Sequence, residues 1–422
     1  MSEVKNRLSK YKAIKTVPTV LTLALLAILS TNMPVHPAHG TPTYGTWTIE
    51  APRPVAAEGL GATKVGSTIF AIGGNSAIAA CHNDAYDASA NSWTTKSSPP
   101  ICVAEPAVVS VAGLVYVIGG TCEAGACTVG AEQSTVQVYN PTTDIWSVGA
   151  DIPTPRSRAG VTVHNHMIFV IGGYKDSTTY DVVEVYDTVQ NSWSSAAPMP
   201  TAREGLLAAT VGDNIFAIGG FKNAGNFLTA TGVVEEYDIS TNSWVTGLAQ
   251  MPTARGMVNA MGGIACGNNP VFVIGGQTTT GMATNANEAY IPSLNHWIER
   301  PLMPTARGEG GTGIVGSQLF VIGGGIPPNS GLVTNENEAF QCSNTVAGDV
   351  SALGMPVSGV EVAVSNGSTL IGKTLTDSQG VYDIDLPAPG IYTLSATIQL
   401  GLTVSAMVYI PPGTVVVQSL SA

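Results

Sequence analysis

A run of aliphatic and aromatic residues ending in Gly-Gly recurs six times, and nothing else in the chain constrains its fold as strongly. It reads Phe70-Ala-Ile-Gly73-Gly, Tyr116-Val-Ile-Gly119-Gly, Phe169-Val-Ile-Gly172-Gly, Phe216-Ala-Ile-Gly219-Gly, Phe272-Val-Ile-Gly275-Gly and Phe320-Val-Ile-Gly323-Gly. Successive copies stand about 50 residues apart, a period that points to repeated supersecondary units. Each Gly-Gly is followed by an aromatic residue and then a tryptophan, as Tyr86/Trp93, Tyr139/Trp146, Tyr186/Trp193, Tyr237/Trp244 and Tyr290/Trp297. Aromatic and tryptophan are always seven positions apart, and the next Gly-Gly comes 26 positions later, except after Trp244, where five more residues intervene. Only the stretch from Gly-Gly to the aromatic varies freely, from 13 to 20 positions. Rigid spacing marks packed strands, and variable spacing marks a loop that accepts insertions.

Each repeat then reads as four strands. A first strand such as 205–211 meets a tight turn, Gly212-Asp213 or Gly316-Ser317, of the kind that joins hairpins. The second strand ends at Gly-Gly, the third carries the aromatic and the fourth the tryptophan. Four-stranded sheets repeated radially protect their own edges, which is the propeller solution. The sixth repeat ends at Glu338-Ala-Phe340 without its tryptophan, yet Trp47 stands 26 positions before Gly73, in register with the others. The strand around Trp47 is therefore expected to complete the sixth blade, beside Glu338 and Phe340.

These residues resemble the kelch-repeat family: the Gly-Gly, the Glu-x-Tyr that precedes the tryptophan, and Met-Pro-Thr-Ala-Arg between blades. The resemblance covers 44–342, with departures at Asn140 and Ile291 after the aromatic and at Val103, where later repeats carry arginine. It implies an all-β, six-bladed propeller over 41–346 but no particular function. Beyond Cys342 the period stops. The segments Gly354-Met-Pro-Val-Ser-Gly-Val-Glu-Val362, Thr376-Asp-Ser-Gln-Gly380-Val-Tyr382 and Leu386-Pro-Ala-Pro-Gly390-Ile-Tyr392 alternate apolar and polar residues between turns, so a small antiparallel β-sandwich is expected over 347–422. It resembles the carboxypeptidase regulatory-like (transthyretin-like) domain, which implies an accessory module without catalytic residues.

The N-terminus reads separately. Lys5, Arg7, Lys10, Lys12 and Lys15 precede the apolar stretch Val17–Leu29, and Ala38 and Gly40 follow, the layout of a secretory signal over 1–40. An uncleaved anchor is the alternative, but the run is shorter than the ~20 residues a span needs. After cleavage no remaining segment is suited to crossing a membrane, and a secreted, periplasmic or cell-surface location is expected. The chain already carries a formal net charge of −12, and losing five basic residues with Glu3 makes it more acidic. Nucleic acid and anionic lipid are poor partners for such a chain. All six cysteines follow the head, which in an oxidising compartment favours disulfides over metal ligation. Face assignments from the repeat pair Cys81 with Cys102, Cys122 with Cys127, and Cys266 with Cys342.

Positive charge is concentrated. The seven arginines after the head, Arg53, Arg156, Arg158, Arg203, Arg255, Arg300 and Arg307, all fall between a tryptophan and the next first strand. In the kelch blade the loops there share a face with the loops after Gly-Gly, where Tyr174-Lys175 and Phe221-Lys222 stand. One reading is a ligand-binding funnel in which Arg156, Arg158, Lys175, Arg203, Lys222, Arg255 and Arg307 engage a glycan or protein ligand, an acidic one included, and Tyr174 and Phe221 stack against it. The other is structural: Arg156, Arg203, Arg255 and Arg307 pair with Glu184, Glu235, Glu288 and Glu338 at the blade junctions. No nucleophile elbow, phosphate loop or zinc motif is present, and no cofactor or metal is expected. Kelch oxidases bind copper through histidine and tyrosine, but His82, His164, His166 and His296 are dispersed, with His164-Asn-His166 in a turn. A sugar-isomerising site, as in sialic-acid mutarotases, would use Glu204 with Arg203, or Glu309 with Arg307. A binding protein is therefore expected, with a carbohydrate-active enzyme of the mutarotase, epimerase or oxidase kind as the alternative.

Overall fold

The computed structural model describes residues 45–75, 81–224, 227–257, 259–262, 266, 270–326, 332–398 and 402–422. The expected signal segment lies outside them. Among the described residues no helix is long and apolar enough to cross a membrane.

The chain is all-β, of the propeller type. Six four-stranded antiparallel sheets follow the repeat. The first comprises Gly61–Val65, Thr68–Ile72, Asn83–Asp87 and Ser92–Thr95 in that spatial order, and the next four repeat it down to His296–Arg300. The sixth takes Gly311–Val315, Gln318–Gly325 and Val333–Gln341 from its own repeat and its fourth strand, Trp47–Glu50, from the other end of the chain. Trp47 lies opposite Phe340 and Ile49 opposite Glu338, the register the shared spacing implies.

The second strands show why the Phe-Val-Ile run is apolar throughout. Each is buried on both faces, so consecutive residues serve different neighbours. Phe169 and Ile171 pack toward the fourth sheet with Ile215 and Tyr237, whereas Ile168 and Val170 pack toward the second with Tyr116 and Val138. Every adjacent pair of sheets shares such a layer, including the sixth and first, where Phe320 and Ile322 meet Ile69, Ala71 and Tyr86. The innermost strands also touch their neighbours in turn, Gly311–Val315 lying beside Gly61–Val65. Gly311 is required there, because a Cβ would come within 2.6 Å of Ala62 Cβ.

The outer strands are locked by a repeated polar device. The indole of Trp93 donates to Ala51 O at 2.7 Å, Trp146 to Ser97 O at 2.8 Å, Trp193 to Ala150 O at 2.8 Å and Trp244 to Ala197 O at 2.9 Å, each reaching the linker of the preceding sheet. Trp47 does the same to Pro301 O at 2.9 Å. The aromatic of each pair donates its hydroxyl to a residue five positions on, as Tyr237 does to Asn242 Oδ1 at 2.7 Å.

After Cys342 come two further sheets. One is built on Asn344–Ala352 with Val381–Leu386, Met355–Pro356, Val415–Val417 and Leu420–Ser421. The other runs Thr369–Leu375, Glu361–Asn366, Gly390–Ile398, Leu402–Ile410. They enclose their own core of Val346, Val362, Tyr382, Leu394 and Ile410. They are not set apart from the repeats. The strand Asn344–Ala352 crosses the 346/347 boundary expected from the period, and Ala347 and Val415 share a cluster with Phe272, Phe340 and Cys342. Arg300 of the fifth sheet also meets Asp385 at 3.2 Å. The disulfides Cys81–Cys102, Cys122–Cys127 and Cys266–Cys342 have Cα separations of 4.6, 6.3 and 5.5 Å, within the range such bridges require. The last of these ties the fifth repeat to the end of the sixth.

Candidate functional site

Four of the candidate arginines are not on the surface. Arg156, Arg203, Arg255 and Arg307 are buried, each ion-paired with the glutamate two positions before its sheet's aromatic: Glu184, Glu235 (2.6 Å), Glu288 and Glu338. Their guanidinium groups also hold backbone carbonyls of their own sheet, as Arg255 holds Gly275 O and Val273 O at 2.8 Å. The threonine two residues before each arginine braces the same glutamate, Thr201 reaching Glu235 at 2.6 Å and Thr253 reaching Glu288 at 2.8 Å. Burial lowers the pKa of Arg156, Arg203 and Arg255, with the carboxylate partner opposing it. A guanidinium held on all sides in the interior cannot meet a ligand, so these four leave the candidate surface. Pro-Thr-x-Arg is a blade-junction motif.

The two irregular sheets obey the same electrostatic rule. In the second, Val103 replaces arginine and Gln137 replaces glutamate, and Gln137 bonds the backbone of Ile101 in both directions at 2.8 and 2.9 Å. Losing the buried cation goes with losing the buried anion. In the first, Arg53 reaches Asp84 at 2.8 Å from four positions earlier in the linker.

The mouth of the channel is formed two residues beyond the motif arginine. Gly59, Glu105, Arg158, Gly205, Met257 and Glu309 all have φ between 48° and 65°. They join head to tail around the axis: Gly59 N donates to Glu309 O at 2.7 Å, Glu105 to Gly59 at 2.6, Arg158 to Glu105 at 3.1, Gly205 to Arg158 at 2.8, Met257 to Gly205 at 2.8 and Glu309 to Met257 at 3.0. Left-handed backbone is costly for side chains such as Glu, Arg and Met, and is tolerated where surrounding structure imposes it, often at functional sites. At Gly205 a side chain would also strike Met257, with a Cβ 2.7 Å from its Sδ.

Side chains from this girdle and the adjacent residues make one cluster. Arg158 grips Glu105 with two bonds, 2.7 and 2.8 Å, approaches Glu204 at 3.3 Å, and stands 5.4 Å from the centre of the Tyr174 ring. Glu309 accepts from Gln277 at 3.1 Å. Glu204 is fully buried, and its Oε2 has no hydrogen-bond partner among the described residues. A cavity of about 120 Å³ is lined by Glu105, Arg158, Met257 and Glu309, and below it a channel of about 720 Å³ runs between the innermost strands. Desolvation, then repulsion from Glu105 and Glu58, pushes the Glu309 carboxyl up to about 7. Desolvation also raises Glu204 and Glu58, with Glu105 adding to both. For Arg158, burial works against the charge, but Glu105, Glu204 and Glu309 outweigh it and hold the pKa above its ordinary value.

The structure therefore brings together Arg158, Tyr174 and the two acids Glu204 and Glu309, but not with the arginines the isomerase alternative assigned them: Arg158, not Arg203, faces Glu204. Lys175 sits on the short hairpin Tyr174–Lys175/Thr178–Thr179 and Lys222 on Phe221–Ala224/Phe227–Ala230, on the same side as the mouth. Phe221 is buried, its ring occupying the place a side chain at Gly256 would take, so it packs and does not stack on a ligand. His164 and His166 flank Asn165 in an exposed turn, and among the described residues no group of three His, Cys, Asp or Glu side chains is arranged to hold a metal. Glu58, Glu105 and Gln277 are the side chains that the arginine-centred reading missed. For Glu105 the signal was present in the alignment of repeats, two positions past the arginine.

The description "KLHDC2/KLHL20/DRC7 Kelch-repeats domain" matches residues 105–324, over half of the chain. Beta-scruin of Limulus polyphemus is 31% identical over 97 residues, a match covering 23% of this chain and 10% of that protein. A solved structure entitled "Structure of YjhT" superposes with a TM-score of 0.57 at 19% identity, over 68% of this chain and 95% of that one, a likeness of fold alone. With the Gly-Gly repeat, the tryptophan bonds and the Thr-x-Arg–Glu junctions in place, the chain belongs to the kelch-repeat family.

Proposed function

We propose that the mature chain is an extracellular binding protein whose propeller mouth takes a glycan. In this reading the six sheets close as blades of one ring, and the C-terminal sheets act as an accessory sandwich of the carboxypeptidase regulatory-like kind. Three disulfides support a site of action in an oxidising compartment. One observation carries the ligand assignment: Glu105, Arg158 and Glu309 line one cavity on the axis, Gln277 bonds Glu309, and the Tyr174 ring stands 5.4 Å from the Arg158 guanidinium. Carboxylates accept from sugar hydroxyls, guanidinium and amide donate to them, and an aromatic face receives the apolar face of a pyranose. Four carboxylates against one guanidinium disfavour an anion at the axis, so an acidic partner would be confined to the rim bearing Lys175 and Lys222.

The test is a glycan array with the mature protein, followed by calorimetry on the hits. Tyr174→Ala should weaken a true mouth ligand at least tenfold while the protein melts as the parent does. An empty array, or hits indifferent to Tyr174→Ala, would remove the glycan reading. A second reading, a sugar-converting enzyme, is favoured by Glu309, whose carboxyl near neutrality suits proton transfer at pH 7. Product analysis on each bound sugar separates the two.

A further inference from the structure

The mouth holds more negative charge than its own cation balances. Glu105 acts on Glu58, Glu204 and Glu309, Glu58 acts on Glu309 as well, and Arg158 is the guanidinium they share. Arg158 spends its two best bonds on Glu105 and reaches Glu204 only at 3.3 Å. Among the described residues Glu204 Oε2 is buried without a partner, a costly state for a carboxylate oxygen. Glu309 has one neutral donor, Gln277, and lines a cavity that lies on the axis. Buried carboxylates in such surplus bind either protons or a cation.

Resting on the glycan reading, we propose that the group entering this cavity is an ammonium, so that the preferred ligand is a glycan with free amino sugars, a glucosamine oligomer and not its N-acetylated form. An ammonium offers three donors and no acceptor, which suits a cavity lined by the carboxylates of Glu105 and Glu309, with Glu58 in electrostatic reach of both. Its charge relieves the repulsion that now makes Glu309 hold a proton. Acetylation removes that charge. The cavity has room for a small polar head, while the Tyr174 ring and the rim remain for the rest of the sugar.

The experiment is isothermal titration of the mature protein with a glucosamine tetramer, an N-acetylglucosamine tetramer and putrescine, at pH 5.5 and pH 7. The glucosamine tetramer should bind at least tenfold more tightly than the acetylated one at pH 7, where its amines still carry charge and Glu309 is part ionised. That preference should shrink at pH 5.5, where Glu309 is protonated; the other groups facing it are Glu58, Glu105, Glu204 and Arg158. Glu309→Gln should abolish the preference and its pH dependence, and Glu105→Gln, checked by thermal melting, serves as the second variant. Equal binding of both tetramers, or a preference that survives Glu309→Gln, overturns the ammonium assignment and leaves the glycan reading standing. Putrescine binding that depends on Glu309, with neither sugar bound, keeps the cation site and removes the glycan. No binding by any probe removes both.

Discussion

Glu309 illustrates how a single side chain can work against the fold that carries it. Its folded-state carboxyl titrates near 7 against an ordinary value of 4.5, so the folded protein favours the protonated form. The associated stability is fully present below pH 4.5 and is lost as pH rises through about 7. Chemical denaturation at pH 5 and pH 8 should reveal it. The parent is expected to lose on the order of 1–3 kcal/mol from this group between those values, and Glu309→Gln should flatten that part of the profile. A slope identical in parent and variant would mean that the proton resides elsewhere in the cluster. Arg158 obeys the opposite logic, being held charged by the acids around it. Replacing it with methionine should raise the proton affinity of Glu204 further, which a steeper loss of stability toward alkaline pH would report.

At the scale of the element, the junction of the second blade-like sheet is a natural double substitution. Val103 and Gln137 stand where the third to sixth sheets place arginine and glutamate. Val103→Arg alone, or Gln137→Glu alone, should cost about 3 kcal/mol or more by burying an unpaired charge. The two together should cost clearly less than the sum, a coupling that a double-mutant cycle in urea measures. Additive costs would show that the pair is not a unit. Much of this was legible beforehand. The strand pattern, the orphan Trp47 and the cysteine pairs follow from spacing, because spacing within rigid sheets is geometry. The alternative that paired Arg203 with Glu235 was equally readable. What could not be read was which arginine escapes burial. Arg156 and Arg158 are two positions apart, yet the left-handed backbone at 158 turns one toward the mouth while the other stays inside. Nor did the period reveal that Asn344–Ala352 shares a core with the repeats, since that contact depends on docking and not on phase.

For the whole molecule, the seam deserves a direct challenge. Trp47→Ala removes an indole that reaches Pro301 and packs on Phe340 at 5.3 Å between ring centres. It should destabilise by about 3 kcal/mol, in the range of large aromatic truncations, and do so cooperatively across all six sheets. A variant that loses only local structure near Trp47 would show that the sheets melt independently. The seam also sets a clock. Trp47 finds its partners 254 or more residues away, so the first strand to emerge from the ribosome is among the last to be used. At roughly 5–20 residues per second, that wait lasts on the order of 15–60 s, during which the leading strand has no partner and the sixth sheet does not exist. Until Val333–Gln341 is made, the sheet that draws strands from both ends of the repeats cannot form, so the long-range pairing that stabilises the finished protein lends nothing to the nascent one.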